Sequence, residues 1–262
     1  MSYENISFQF SNAIVCQPGQ SVARGLRAVD RGQPDFRKFR LEHDGYIDAL
    51  EQAGLKVEIL PPQESFPDSV FVEDAALCLP QGSVILRPGT PSRLGEADLM
   101  AASLVRLGHE IHRVQPGGFI DGGDILVTDS VILVGLSERT DRNGYESLKQ
   151  LLGDWGYRVQ AVHTPEHVLH FKSDCCLLDS ETILATSRLS ESGCLSSFNV
   201  LTVPEGEEAA ANSIRVNDVV LTPGGFPTTA ELLAREGYSP VTLGVTQAAL
   251  LDGGLSCMSL RF

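Results

Sequence analysis

The chain has 262 residues, 42% hydrophobic and 21% charged, with a formal net charge of −14. That length can bury a sizeable core, no apolar run is long enough to span a bilayer, and the acidic balance excludes the basic face that nucleic-acid phosphates require. The partners expected are small molecules rather than nucleic acid or membrane, cations above all because a negative field concentrates them; an oligomer is neither demanded nor excluded.

Met1-Ser2-Tyr3-Glu4-Asn5-Ile6 shows neither the basic stretch nor the apolar stretch of an export signal. The six cysteines, Cys16, Cys78, Cys175, Cys176, Cys194 and Cys257, form no CxxC pair and no regular framework. They read as reduced thiols, so the expected location is the cytoplasm.

In chain order, a strand over 8–15 precedes a helical stretch over 37–50, whose continuation at 47–53 runs into Gly54 and a strand ending at Leu60. Strands over 71–78 and 83–86 come next, then a helix over 97–107, Gly108 and a strand ending at Val114. The pattern returns with strands over 124–127 and 130–134, a helix over 145–155, Gly156 and a strand ending at Val162. Strands over 175–178 and 182–185 open a further copy, in which 190–203 does not read clearly as a helix. Strands over 213–216 and 219–221 flank the hairpin turn Asn217-Asp218, before a helix over 229–236, Gly237 and a strand ending at Leu243. Each Gly falls at the helix C′ position, where a left-handed residue is wanted. A last strand over 255–262 pairs off with the first to complete a fifth unit from the two ends of the chain. The reading is an α/β fold of one domain over 1–262: a ring of five strand–strand–helix–strand (ββαβ) units, which leaves only short, protected sheet edges.

The unusual polar residues recur at one place in these units, just before or within the first strand. They are Asp68 with Glu73 and Asp74, Asp121, His170, Asn212 and Cys257. Equivalent points of a ring meet at one end of its axis, so these side chains are expected to converge. Singly, each has an ordinary explanation. Cys257 reads as a small buried hydrophobe, His170 as a core histidine, Asp121-Gly122-Gly123-Asp124 as a turn or metal loop, and Glu73-Asp74 as a solvated strand end. Together they describe a cysteine nucleophile beside a histidine, among carboxylates suited to a cation. Zinc on His170, Cys175 and Cys176 fails because adjacent strand residues point to opposite faces, so no metal site is assigned.

The chain resembles the dimethylarginine dimethylaminohydrolases, members of the guanidine-modifying superfamily that includes the arginine deiminases. The matching stretches are Asp68-Ser-Val-Phe-Val-Glu73-Asp74, Ser92-Arg93, Asp121-Gly-Gly-Asp124, Gly135-Leu-Ser-Glu-Arg139-Thr140, Leu169-His170-Phe-Lys172-Ser173, Ala211-Asn-Ser213 and Gly254-Leu-Ser-Cys257, in order along nearly the whole chain. The resemblance implies a five-bladed αβ-propeller with Cys257 as nucleophile, His170 as general acid and base, and Asp121 paired with His170, where some relatives carry Glu. It implies Arg93 and Arg139 on the substrate carboxylate, Asp68 near its ammonium, and 18–26 as a mobile lid bringing Leu26 over the substrate. Leu251 is expected to form a wall near the nucleophile.

The expected reaction is attack of the Cys257 thiolate on the guanidinium carbon of a methylated arginine. His170 protonates the departing amine and then activates water to release citrulline, with no metal or organic cofactor. A bound guanidinium needs carboxylate partners, with Asp74 the expected bidentate clamp and Glu73 and Asp121 close by. An arginine deiminase is the nearest alternative, but those enzymes carry His-x-Asp where this chain has His170-Phe171-Lys172; Phe171 stands where the resemblance leads one to expect Leu. A non-catalytic binding protein on the same ring is the alternative of another class, and it has no need of Cys257, His170 and Asp121 together.

Overall fold

Each expected blade is a separate three-stranded sheet in the computed structural model, which describes residues 6–165 and 168–262. Residues 1–5, read above for an export signal, lie outside the described residues. One blade holds β1 (Asn12–Cys16) and β2 (Lys56–Leu60), joined by helix α1 (Phe36–Gln52). The next holds β3 (Ala76–Leu79), β4 (Gly82–Ile85), α2 (Leu94–Arg106) and β5 (Ile111–Arg113). A third holds β6 (Ile125–Val127), β7 (Ile132–Leu136), α3 (Arg142–Asp154) and β8 (Val159–His163). The fourth has β9 (Cys175–Leu177), β10 (Thr182–Ala185), the short α4 (Ser187–Glu191) and β11 (Asn199–Thr202). The fifth has β12 (Ile214–Val216), β13 (Val219–Pro223), α5 (Pro227–Arg235) and β14 (Pro240–Leu243).

In every sheet the first strand pairs antiparallel with the second, and the second pairs parallel with the third across the helix. The ring closes through β15 (Leu260–Arg261), which pairs antiparallel with β1 in the register Ala13↔Arg261 and Ile14↔Leu260. The second strands are buried nearly throughout, as the apolar runs in the sequence require of strands covered on both faces. The third strands lie outermost and are more exposed. Apolar side chains gather between blades rather than on the axis. Tyr145 and Leu148 of α3, for example, pack with Ile132 and Val134 of their own sheet and with Val84 of the neighbouring one. Gly54, Gly108, Gly156 and Gly237 hold φ between 87° and 97° after their helices, as the repeat predicts.

The sequence reading overextends the first strands. Residues Val72–Ala75 and Ser256–Met258, expected as strand, are single 3-10 turns, and Asp124 ends another such turn instead of opening β6. The unclear helix of the fourth blade is a five-residue α4 placed ahead of the expected stretch.

Candidate active site

The misread turns build the site. Ahead of each first strand the chain makes one 3-10 turn: Val72–Ala75, Gly122–Asp124, Phe171–Ser173, Glu208–Ala211 and Ser256–Met258. These turns sit side by side around the axis and bring their polar residues together. Asp121 and His170 immediately precede their turns, Asn212 follows its own, and Glu73, Asp74 and Cys257 lie within theirs. The Gly pairs permit the approach. A Cβ on Gly122 would stand 1.9 Å from the Glu73 carbonyl oxygen, and one on Gly123 would stand 2.8 Å from His170 Cγ. Cβ atoms on Gly253 and Gly254 would likewise collide with the Phe71 ring and the Asn212 amide.

His170 Nε2 lies 2.9 Å from Asp121 Oδ2. Asp121, fully buried, is held by the Gly89 N–H on Oδ1 at 2.7 Å, and its own N–H donates to Thr140 Oγ1 at 3.1 Å. Arg139 Nη1 stands 3.6 Å from Asp121 Oδ2. Burial alone would lower the His170 pKa. The charges of Asp74, Asp124 and Asp121 and the hydrogen bond to Asp121 outweigh it and raise the imidazole to about 9. His170 is therefore an imidazolium at neutral pH.

Asp74 is not the open clamp the sequence suggested. Its Oδ2 pairs with Arg93 Nη1 at 2.6 Å and its Oδ1 accepts the Gly123 N–H at 2.9 Å. Burial works against its ionisation, yet His170 and Arg93 hold the carboxyl well below the usual range. Arg93 is buried and gripped twice by Glu96 Oε2, from Nε at 3.0 Å and Nη2 at 2.8 Å, and it also donates to the Phe71 carbonyl at 2.9 Å. The guanidinium expected to meet the substrate carboxylate thus braces Asp74 in this arrangement. Burial lifts Glu96 to about 7 against the pull of Arg93.

Glu73 is the carboxylate with capacity to spare. Lys172 Nζ donates to its Oε1 at 2.6 Å and Arg261 Nη2 stands 3.4 Å from the same atom, while Oε2 is buried with no hydrogen-bond partner among the described residues. Cys257 is buried, and its thiol is pushed up to about 12 by burial first and then by the charges of Glu73 and Asp74. The turn that carries it is anchored from below. Tyr46 of α1 donates its hydroxyl to the Leu255 carbonyl at 2.8 Å and lies 2.7 Å from Ser259 Oγ, and Asn212 Oδ1 accepts the Ser256 N–H at 3.0 Å.

Around the rim, Asp68 is buried and accepts the Leu26 N–H at 2.9 Å, and a Cβ on Gly25 would touch both Leu251 Cδ1 and Asp68 Oδ1. Asp68, Leu26 and Leu251 are therefore neighbours. Within the segment expected as a lid, Gln20–Arg24 forms a 3-10 turn. Carboxylates hold its backbone, Glu64 on the N–H groups of Gln20 and Ser21 and Asp252 on that of Ala28.

Ligand atoms of Asp74, Asp121 and His170 lie within 4.8 Å of one another, a spacing that a divalent cation accepts. Their charges are already matched, Asp74 by Arg93 and Asp121 by His170 and Arg139, so the set does not call for a metal. A cavity of about 490 Å³ bounded by Phe10, Leu79, His109, Arg261 and Phe262 does not include Cys257, His170 or Asp121. Sequence reasoning missed Gly89, Glu96, Asp124 and Thr140. Asp124 and Thr140 carried a signal, as the last members of the Asp-Gly-Gly-Asp stretch and of the stretch 135–140; Gly89 and Glu96 carried none.

Residues 34–181 match the family model described as N,N dimethylarginine dimethylhydrolase, eukaryotic. The chain is 36% identical over 254 residues to the N(G),N(G)-dimethylarginine dimethylaminohydrolase of Pseudomonas aeruginosa, covering 97% of this chain and 100% of that one. Two solved structures superpose with a TM-score of 0.93 at 35% identity, again over 97% and 100% of the chains. One is a cysteine-to-serine variant of the Pseudomonas aeruginosa enzyme complexed with citrulline. The other is a histidine-to-glycine variant of a dimethylarginine dimethylaminohydrolase as an adduct with S-methyl-L-thiocitrulline.

Proposed function

This chain belongs to the dimethylarginine dimethylaminohydrolase family, and from that premise we propose that it hydrolyses methylated arginines to citrulline and a methylamine with Cys257 as nucleophile. The observation that carries the assignment of roles is electrostatic. A buried thiol pushed up to about 12 feels the charges of two carboxylates, one with an oxygen unpartnered among the described residues, and the other, Asp74, also helps a histidine keep its proton to about 9. Such a site has one open place, at Glu73 Oε2, and it suits a donor that carries positive charge. A guanidinium fits it: it offers N–H donors to Glu73 Oε2, and its positive charge beside the sulfur lowers the Cys257 pKa so that the thiol proton passes to solvent.

The thiolate then attacks the guanidinium carbon and gives a tetrahedral adduct. With Nε2 engaged by Asp121, Nδ1 of His170 is left to transfer a proton to the departing dimethylamine. As the C–N bond breaks, a thiouronium forms on Cys257. Neutral His170 next takes a proton from water, the hydroxide adds to the same carbon, and the C–S bond breaks as the hydroxyl proton passes to the departing sulfur, leaving the ureido group of citrulline. Asp121 orients the imidazole throughout and stabilises its charged form. Arg139 and Asp68 receive the carboxylate and ammonium of the amino-acid end, with Leu26 and Leu251 closing over the alkyl chain.

The absence of a second acid after His170 supports a methylated substrate over arginine. Lys172 occupies that place and is paired with Glu73, so no acceptor stands ready for the N–H groups that arginine would add. The six cysteines are all unpaired, which suits a cytoplasmic location. Incubation with asymmetric dimethylarginine should release citrulline and dimethylamine, and Cys257→Ser should release neither while still binding substrate. Turnover by that variant near the wild-type rate would remove Cys257 from the mechanism.

A further inference from the structure

We propose that Asp124 is a positioning residue that holds His170, Asp121 and Arg139 in one working arrangement without touching the substrate. The inference rests on the reaction assigned above. Asp124 is fully buried, and both its oxygens are taken by donors from beyond its own turn. Oδ1 accepts the Phe171 N–H at 2.8 Å, and so fixes the backbone immediately after His170. Oδ2 accepts two hydroxyls at 2.6 Å each, from Ser137 and from Thr140. Each hydroxyl passes the constraint on. Thr140 Oγ1 receives the Asp121 N–H at 3.1 Å, while Ser137 Oγ receives the N–H groups of Arg139 at 3.0 Å and Thr140 at 3.2 Å.

One carboxylate therefore sets three elements: the turn of His170, the turn of Asp121 and the loop of Arg139. Gly135, which precedes that loop, leaves room for this, since a Cβ there would stand 3.2 Å from Asp124 Oδ1. No Lys or Arg forms an ion pair with Asp124 among the described residues. The nearby positive charge that favours its ionised form is His170 itself, against the burial that raises its pKa. The pairing is reciprocal, because the Asp124 charge helps to keep His170 protonated. His170 is faced by Asp74 from the turn before β3, by Asp121 and Asp124 from the turn before β6, and through Asp121 by Arg139. Lys172 follows on its own turn but is paired with Glu73. An asparagine could not do the same work, because its NH2 cannot accept from a hydroxyl or an N–H.

The test compares wild type, Asp124→Asn and Thr140→Val in kcat and KM for dimethylarginine across pH, together with an NMR titration of the His170 ring that needs no substrate. Asp124→Asn should lower kcat about 10- to 100-fold and move the limb on which His170 loses its proton down by about one pH unit, with the NMR titration moving in parallel. Thr140→Val keeps the charge and breaks the link to Asp121, so kcat should fall about tenfold with the limb in place. A folded Asp124→Asn protein whose limb and NMR titration match wild type would overturn the proposal. If Asp124→Asn does not fold, full kcat in Thr140→Val would overturn it instead. Wild type that makes no citrulline would refute the assigned reaction, and the NMR titration would still decide the positioning role.

Discussion

Replacing Glu73 by glutamine should make Cys257 more reactive while making the enzyme less active. The two effects point in opposite directions only if the negative charge restrains the thiol. With its pKa near 12, Cys257 is thiolate at about one part in ten thousand at pH 8. Glu73 is the largest charged contributor to that rise, after burial. Glu73→Gln removes this charge and leaves Lys172 and Arg261, now without their carboxylate, near the site. A shift of one to two pH units is the usual size for a close charge and would raise the thiolate fraction about 10- to 100-fold. A thiolate of lower pKa is also a weaker nucleophile, with a Brønsted slope near one half, so the net gain in alkylation rate is about 3- to 10-fold. The assay is iodoacetamide labelling at pH 8 without substrate, with the Cys257 peptide quantified by mass spectrometry because Cys78 and Cys194 are only half-buried. Citrulline formation should fall in the same variant, since the guanidinium loses the acceptor with a free oxygen. Labelling that is unchanged or slower would show that burial alone holds the thiol, and the case for a substrate cation drawing off its proton would collapse.

Gly123→Ala places a methyl 2.8 Å from His170 Cγ and 2.9 Å from Nδ1, so the ring must turn away from its bond to Asp121. Activity should drop about a hundredfold with the fold kept by circular dichroism, whereas more than half the wild-type rate would mean the ring has slack. His43 is fully buried, both ring nitrogens lack hydrogen-bond partners among the described residues, and burial, then Arg40, lowers its pKa to about 4. The native state needs it neutral, so its contribution to stability is complete above about 6.5 and is lost as pH falls toward 4. Urea unfolding at pH 7 and pH 5 should show wild type losing about 2 kcal/mol more than His43→Phe over that interval, and equal losses would refute the assignment. Methylated arginines should have a kcat/KM about tenfold above that of arginine; equal or faster turnover of arginine would move the chain toward the deiminases.

The ring was legible because its signals are local. A glycine after each helix and a paired run of apolar residues before it suffice to count units, and the chain's two ends completed the fifth. The convergence of Cys257, His170 and the carboxylates followed from that symmetry. The 3-10 turns were not legible. Val72, Glu73, Asp74 and Ala75 are all buried, so no two-faced alternation separates this turn from the start of a strand. Side-chain pairings between separate elements were beyond reach for another reason. Nothing near Arg93 says that it will pair with Asp74, nineteen positions earlier, or that Glu96 will hold it there. The spare oxygen of Glu73 is likewise a property of the assembled ring.

The 20–28 segment beside Asp68 and Leu251 is held by its main chain. Glu64, Asp68 and Asp252 receive N–H groups of Gln20, Ser21, Leu26 and Ala28, and every residue type except proline supplies that donor. Apart from Val22, buried in the core, and Gly25, whose Cβ would meet Leu251 and Asp68, its amino acids can change without unfastening it, while the three acids cannot. Between species the selective pressure that preserves this fastening should fall on positions outside the segment, while its exposed side chains are left to vary.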